Sequence, residues 1–323
     1  MSDLNYKDNK KDKFKKMNNY SDIAVVVLNY LTANETEEFI SSLHAYYPGI
    51  RTIIVDNGSP EDILKKLFEI SKNNKNISVH KMGRNLGFAK GNNYGINIAR
   101  KEGYKYIVCS NNDILLNDKR IFEKLKKSMI FSKSAVIGPQ IINLLGKNQN
   151  PITIKRPDFI QAKRIYKGSS LFRIFVLCVL PSPILNLLRK IKHKIYPVSM
   201  EKENIKKPAY VYALHGSFLM FGPKFFEKYN GFDEGTFLYG EEMILAEMLI
   251  SEKMKAFYEP SASVIHKEDR TATLIWGGQN KFKPLLYSRY STKYWYKKFY
   301  IPNSYKNETH NVRGSNEINI REK

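Results

Sequence analysis

The chain has 323 residues, of which 42% are hydrophobic and 13% aromatic, enough for one large α/β domain or two smaller ones. Its formal net charge of +22 predicts an anionic partner, such as nucleic acid, an acidic membrane surface or a phosphorylated substrate. The two cysteines, Cys109 and Cys178, argue against a disulfide framework or a cysteine metal site and indicate a reducing, cytosolic compartment.

The positive charge is concentrated in two segments. Residues 1–20 are polar and rich in lysine, which predicts a disordered tail, and residues 155–194 carry ten Lys or Arg residues against one acid, Asp158. No apolar stretch follows the N-terminal lysines before Ile23, so no signal peptide is expected. Nor does any segment reach the roughly 20 uninterrupted apolar residues of a membrane span.

The first half of the chain predicts alternating strands and helices. Apolar runs predict strands at residues 23–28, 52–55, 77–80 and 106–109, with helices between them. Asn34 and Glu37 have the spacing of a capping box that opens the first helix. A helix at 117–132 and a strand at 135–142 follow. This order predicts an α/β fold with a single doubly wound, mostly parallel sheet flanked by helices.

The alternating pattern of strands and helices is not recognisable over residues 146–208, which form a basic and apolar insert. Its apolar stretch, 171–188, suits a helix lying in a membrane interface, or alternatively a buried helix of an acceptor subdomain. Strand-like residues resume at 210–214, a helix is predicted at 241–253, and short strands are predicted near 256–257 and 263–265. A C-terminal helical extension and a polar tail beyond residue 303 complete the chain.

Three predicted strands end in polar residues. Asn29 follows the first strand, Asp56 the second, and Asn111, Asn112 and Asp113 the fourth. Because the carboxyl ends of parallel strands meet at one edge of a sheet, we expect a site there. Asp56 could bind a base or ribose, or form an Asx turn. Asp113 suits a divalent cation that bridges to a phosphate, although Asn112 or Asp113 could instead cap a following helix.

Glycines recur at every fourth position from Gly83 to Gly95. On a helix they form a bare ridge that allows close packing. Arg84, Lys90 and Asn92 could face a diphosphate, or their polar faces could simply be solvated. The segment contains neither a P-loop nor a Rossmann dinucleotide signature, which disfavours both of those classes.

The second half offers two adjacent acids and a histidine. Glu241 and Glu242 follow an aromatic loop bounded by glycines, where a carboxylate could be a general base toward a hydroxyl or only a favourable partner of the helix dipole. His266 ends a strand-like run. A lone histidine is usually structural, but beside a metal it is a plausible ligand.

Together these motifs resemble family 2 of the glycosyltransferases, which have the GT-A fold, and in particular its bacterial polysaccharide and rhamnosyltransferase-like branch. Each motif is weak alone, but the ordered set is specific. The resemblance covers roughly residues 22–270 and rests on the segments 25–30, 54–59, 84–95, 111–113, 215–218, 231–234, 237–242 and 264–266.

The resemblance implies an inverting transfer of one hexosyl or rhamnosyl unit from a UDP- or dTDP-sugar to a hydroxyl of a glycan or polyprenyl-diphosphate-linked acceptor. Residues 21–145 would be the nucleotide-sugar-binding half, 146–208 the insert and 209–302 the acceptor-binding and catalytic half, between tails at 1–20 and 303–323. The implied role is surface polysaccharide (capsule and cell-envelope) biosynthesis. The resemblance implies that the protein acts in the cytoplasm, at the inner face of the plasma membrane. It implies an anionic membrane surface as a partner, and no nucleic acid.

The resemblance also implies roles for single residues. Asp113, at the last position of the family's DXD motif, and His266 would bind Mg²⁺ or Mn²⁺. Glu242, or else Glu241, would be the catalytic base. Asn111 replaces the first acid of DXD, so the metal would rely on one carboxylate and the donor's phosphates; the base position is Glu where Asp is commoner. Contacts to the nucleotide sugar are implied for Asn29, Asp56, Arg84, Asn85, Asn92 and Asn112.

Two other functions remain open from the sequence. A nucleotidyltransferase of related fold would need a Gly-rich signature with Arg or Lys just after the first strand, where this chain has residues 29–32, Asn-Tyr-Leu-Thr. A non-enzymatic nucleic-acid binder is suggested by the net charge, but no recognition motif of that class is present.

Overall fold

A computed structural model of the chain describes residues 20–179, 205–267 and 282–301. Residues 1–19 of the predicted N-terminal tail, the predicted C-terminal tail and the second part of the insert, residues 180–204, lie outside the described residues.

The described residues form strands and helices that alternate through the first half, as the sequence predicts. The strands are β1 (Ile23–Asn29), β2 (Arg51–Asp56), β3 (Ile77–Lys81), β4 (Tyr106–Asn111), β5 (Ile114–Leu116), β6 (Val136–Asn143), β7 (Ala209–Val211), β8 (Phe218–Phe221) and β9 (Ala256–His266). The helices are α1 (Ala33–Tyr46), α2 (Glu61–Ser71), α3 (Phe88–Lys101), α4 (Ile121–Ser132), α5 (Phe159–Gly168), α6 (Leu171–Val179), α7 (Pro223–Phe226), α8 (Glu241–Ser251) and α9 (Phe282–Tyr300).

The strands form one sheet in the order β3-β2-β1-β4-β8-β6-β9-β5, with β7 paired to β9. Strands β1, β2, β3, β4, β6 and β9 run in one direction, and β5, β7 and β8 run against them. The predicted doubly wound, mostly parallel sheet is therefore confirmed. One sheet joins the two halves of the chain, because β4 from the first half pairs with β8 from the second.

Helices cover both faces of this sheet because alternate strand residues point to opposite sides. On one face Val25 and Val27 pack in a core with residues of α1, α2 and α4. On the other face Ala24 and Val26 pack in a core with residues of α3, α8 and α9. Cys109 is fully buried in the second of these cores.

Several sequence expectations were wrong in detail. Helix α1 begins at Ala33, so Asn34 is not its cap; Thr32 precedes it and makes no side-chain capping bond. Neither Asn112 nor Asp113 caps a helix, because the turn they form leads into β5. The two short strands predicted around Glu259 are one strand, β9, whose pairing with β6 shifts register beside Pro139.

The first part of the insert forms two helices: α6 lies in the apolar stretch that was expected to be helical, whereas α5 was not predicted. Asp158 caps α5 in a capping box with Gln161, whose backbone N–H donates to the Asp158 carboxylate at 2.8 Å. Both helices contact α9 from the C-terminal end of the chain. Within the described parts of the chain, no helix is long and apolar enough to cross a membrane.

Candidate functional site

The carboxyl ends of three strands lie side by side, as expected. The register of the sheet places Asn29 beside Asp56 and Leu28 beside Asn111. Asn112 and Asp113 follow in the turn after β4, so the polar strand ends converge on one edge of the sheet.

Asn29 lies at the centre of a buried hydrogen-bond network at this edge. Its Nδ2 donates to Asp56 Oδ1 at 2.8 Å, and its Oδ1 accepts from Thr36 Oγ1 at 2.9 Å. Asn112 Nδ2 donates to Thr32 Oγ1 at 2.7 Å and reaches Asn29 Oδ1 at 3.2 Å. Thr32 and Thr36 are members of the site that the sequence did not single out.

Asp56 is fully buried, and both of its oxygens are engaged. Oδ1 accepts from Asn29, and Oδ2 accepts the backbone N–H of Ser59 at 3.0 Å. The Asp56 side chain thus closes the turn after β2 through the N–H three residues on, rather than two residues on as in an Asx turn. Each carboxylate oxygen keeps a further lone pair, so the turn does not remove the capacity to accept a bond from a ligand.

Asp113 and His266 form what we call the metal corner. The Asp113 Oδ1 atom lies 3.3 Å from His266 Nε2 but is buried without a hydrogen bond. The short strand β5 brings them together, because its first residue, Ile114, pairs with His266 at the end of β9. A buried carboxylate oxygen without a donor, beside an imidazole nitrogen, fits a divalent cation.

Gln149 orients the histidine of the metal corner. Its Oε1 lies 2.7 Å from His266 Nδ1, and this contact holds the ring with Nε2 facing Asp113. The described residues contain no group of three or more His, Cys, Asp or Glu side chains placed to hold a metal. Two protein ligands are therefore available, and a bound diphosphate would have to supply others.

Residues 215–217 connect the metal corner with the predicted base. The rings of His215 and His266 meet edge to face at 5.5 Å. The backbone N–H of Gly216 approaches Glu242 Oε1 at 3.4 Å, and a Cβ at position 216 would lie 3.1 Å from that oxygen. The backbone N–H of Asn111 donates to Ser217 O at 2.9 Å, which ties the segment to the end of β4.

Glu241 and Glu242 begin α8 after Gly240, which has φ +82°. Burial first, and then the charge of Glu242, raises the pKa of Glu241 to about 8. Burial also raises the pKa of Glu242, opposed by backbone N–H groups that include that of Gly216. With a pKa of about 8, Glu241 is mostly protonated at neutral pH, and because burial also raises the pKa of Glu242 the two carboxyl groups titrate as a coupled pair.

The loop before α3 is held by Asn57, which the sequence did not single out. Asn57 Nδ2 donates to Asn85 Oδ1 at 3.0 Å, and Asn57 Oδ1 accepts the backbone N–H of Leu86 at 2.9 Å. Gly58 allows the approach, since a Cβ there would lie 2.5 Å from the Arg84 carbonyl carbon. Asn85 is thus engaged in shaping its own loop.

This loop also touches the segment that leads to Glu241. The backbone N–H of Phe88 donates to Phe237 O at 2.9 Å. Gly87, with φ +87°, makes room for that carbonyl, because a Cβ at position 87 would lie 2.3 Å from it. Tyr287 of α9 stacks on Phe237 with ring centroids 5.0 Å apart, so α9 also borders this region.

The glycine ridge of α3 packs tightly against β1, as expected. A Cβ at Gly91 would lie 2.4 Å from Leu28 Cδ1, and one at Gly95 would lie 2.3 Å from Val26 Cγ1. Asn92 is 1% exposed; its Nδ2 donates to Phe88 O at 3.0 Å, and its Oδ1 has no partner.

Two basic residues of this segment lie apart from the other candidates. Among the described residues, exposed Arg84 makes no hydrogen bond or ion pair with another predicted site residue. Lys90 lines a groove of about 900 Å³ between α3 and residues 229–234, whose lining includes neither Asp113 nor Glu242. The structure therefore does not bring Lys90 to the metal corner.

Comparisons with known proteins agree with this architecture. Residues 22–187 match a family described as "Glycosyl transferase family 2". No curated protein matches the chain in sequence.

Solved structures are similar to the chain in fold. GalNAc-T7, in a crystal structure with UDP, GalNAc and Mn²⁺, is 15% identical, with a TM-score of 0.52 over 76% of this chain and 43% of that one. The mannosyltransferase PcManGT from Pyrobaculum calidifontis, in complex with GDP-Man and Mn²⁺, is 13% identical, with a TM-score of 0.48 over 84% and 68%. S. aureus TarS 1-349 with UDP-GlcNAc is 14% identical, with a TM-score of 0.46 over 77% and 59%. The chain thus spans less than half the length of GalNAc-T7.

Proposed function

The chain belongs to glycosyl transferase family 2, and from this premise we propose that it transfers one sugar from a nucleotide-diphosphate sugar to an acceptor hydroxyl. The observation that carries the proposal is the continuous arrangement of Asp113, His266, His215 and Glu242 at the strand ends. This arrangement brings two candidate cation ligands and the half-buried carboxylate of Glu242 to one edge of the sheet. The family match favours this reaction over nucleotidyl transfer and over nucleic-acid binding.

Glu242 acts on the acceptor in this scheme. Its carboxylate takes the proton of the acceptor hydroxyl as the oxygen attacks the anomeric carbon, a new glycosidic bond forms, and the bond from that carbon to the diphosphate breaks. The nucleoside diphosphate leaves with the bonding electrons. Attack from the face opposite the leaving group inverts the anomeric configuration.

Asp113 and His266 would hold the cofactor, Mg²⁺ or Mn²⁺. Support comes from the unpartnered Asp113 Oδ1 and, by analogy of fold, from the Mn²⁺ and UDP in the GalNAc-T7 structure. When bound, a divalent cation supplies positive charge to the departing diphosphate. Asn29, Thr32 and Asn112 keep the neighbouring strand ends fixed, so the corner is already formed before the donor arrives.

We further propose a UDP- or dTDP-sugar as donor, in the rhamnosyltransferase-like branch, and a glycan or polyprenyl-diphosphate-linked acceptor of surface polysaccharide synthesis. Asp56 and Asn92 would contact the nucleotide, with Arg84 and Asn85 at the entrance of the site. The place of action would be the cytoplasmic side of the plasma membrane.

Ligand-induced thermal stabilisation tests the donor site. The full chain is heated with a panel of UDP-, dTDP- and GDP-sugars, each with Mn²⁺, with Mg²⁺ or with EDTA. A ligand at 100 times its Kd adds about 3 kcal/mol of stability, which is readily measured. The proposal expects stabilisation by at least one nucleotide sugar, strengthened by the metal and lost in Asp113→Ala. Absence of stabilisation by every nucleotide and metal pair would contradict it.

A further inference from the structure

Among the described residues, helices α5 and α6 expose several large apolar side chains. Phe172 is 78% exposed, Phe175 60% and Leu171 54%. On α6 these residues are at positions i, i+1 and i+4, which lie within about 100° of one another around the helix and so share one face, whereas Ile174 is buried. Phe159 and Ile160 at the start of α5 are also more than half exposed. We call the exposed side chains of residues 159–175 the α5–α6 surface.

The same two helices carry exposed cations. Lys163, Arg164, Lys167 and Arg173 are all exposed on the same two helices. Asp158, the one acid between residues 155 and 179, is occupied in capping α5. Because the surface is apolar and basic together, a partner must offer both hydrocarbon and negative charge.

An anionic lipid bilayer has both properties, and we infer that the α5–α6 surface binds the interface of such a bilayer, with Phe172 and Phe175 inserted among the headgroups. Short helices with aromatic residues on one face and Lys or Arg around it bind membranes in this way, parallel to the surface. Each Lys or Arg near the lipid adds attraction to an anionic leaflet. Such binding would bring the protein to a lipid-linked acceptor, a role that rests on the proposed function.

The surface is fixed to the catalytic half of the molecule. Arg156, just before α5, makes two hydrogen bonds of 2.9 Å to Glu247 of α8, which is 2% exposed. Tyr212 donates to the same carboxylate at 2.8 Å. Tyr166 of α5 stacks on Tyr296 of α9 at 4.8 Å. Binding to a bilayer would therefore orient α8 and Glu242 together with the surface.

Vesicle co-sedimentation of the full chain tests the inference. Vesicles of phosphatidylcholine alone are compared with vesicles that contain phosphatidylglycerol, at low and high salt and without nucleotide. The chain should bind the anionic vesicles, and binding should weaken with salt. Failure of the wild-type chain to bind anionic vesicles, or equal binding to both kinds, would overturn the inference.

Two pairs of variants identify the surface. Phe172→Ser with Phe175→Ser should lower the partition coefficient at least tenfold, whereas Phe131→Ser, at an 87% exposed position on α4, should not. Unchanged partitioning of the double variant would mean that the surface is covered by the chain itself and would overturn the inference.

Lys163→Gln with Lys167→Gln should lower partitioning about fivefold for each cation removed. The matched control is Lys65→Gln with Lys66→Gln, a change of equal charge on exposed positions of α2. An equal loss in both pairs would show attraction to net charge alone and would contradict the assigned surface. Stabilisation by nucleotide and Mn²⁺ is measured for all variants. It reports on the donor site without lipid, so failure of the proposed reaction and failure of membrane binding are distinguishable.

Discussion

Replacing Glu241 with glutamine separates the roles of the two adjacent carboxyl groups. The Glu241 side chain is 6% exposed, and its Oε1 has no hydrogen-bond partner. Burial, followed by the charge of Glu242, raises its pKa from 4.5 to about 8. Glutamine has nearly the same size but no proton to release, so Glu241→Gln imitates the neutral form at every pH.

The magnitude follows from the difference between the folded and unfolded pKa. Because the folded pKa is the higher one, the folded chain keeps a proton that the unfolded chain releases. This contribution to stability is complete below pH 4.5 and is lost as the pH rises through about 8. At about 1.4 kcal/mol per pKa unit, wild type should lose about 4 kcal/mol between pH 5 and pH 9 relative to Glu241→Gln.

Urea unfolding at pH 5, 7 and 9 measures this difference. The control is Glu252→Gln, at the exposed C-terminal end of the same helix. The control should follow the wild-type dependence on pH, while Glu241→Gln should gain stability relative to wild type as the pH rises. Parallel curves for wild type and Glu241→Gln would refute a proton held by the buried Glu241.

The same variants decide which carboxylate is the base. Below pH 8, Glu241→Gln should retain sugar transfer, because Glu241 is already neutral in the wild type. Glu242→Gln should reduce kcat by about 10²–10⁴ while leaving donor binding intact. Equal losses in the two variants, or full activity of Glu242→Gln, would refute the assignment of Glu242.

Three further predictions concern the metal corner and the loop beside it. Asp113→Asn should weaken binding of Mn²⁺ in the presence of UDP by at least tenfold in calorimetry, and unchanged affinity would exclude Asp113 as a ligand. Gln149→Leu should weaken the same affinity by about 10–100-fold with the fold intact by circular dichroism, because His266 would lose the partner of its Nδ1. Gly58→Ala should lower the free energy of unfolding by about 1–3 kcal/mol more than Gly103→Ala. Both glycines have positive φ, but only at Gly58 would the added Cβ meet other backbone, so equal costs would contradict the packing explanation.

The sheet and its polar edge could be predicted because they depend on local patterns. Uninterrupted apolar runs located β1, β2 and β4, and the position of Asn29 and Asp56 at their ends followed from the topology alone. The helix α8 was anticipated from its apolar residues and from the acids at its start. These features need only a few neighbouring residues to be recognised.

The contacts that assemble the site depend on residues far apart in the chain. Strands β5 and β8 have three and four residues, too few to show a period, yet β5 places Asp113 beside His266 and β8 follows the segment that reaches Glu242. Gln149 lies 117 positions before His266, and no local pattern connects them. Thr32 precedes α1 without capping it, and its hydroxyl instead accepts a hydrogen bond from Asn112, 80 positions away.

The main-chain bond between Phe88 and Phe237 bears on how this chain could be recombined with its relatives. The bond joins an N–H to a carbonyl and so does not depend on which side chains occupy those positions. A chimera that takes its first half from another protein would need glycine at position 87 to admit the carbonyl of residue 237. It would not need a matched pair of side chains across this junction. A library of chimeras in which the first half of the chain is exchanged could therefore be screened first for glycine at position 87.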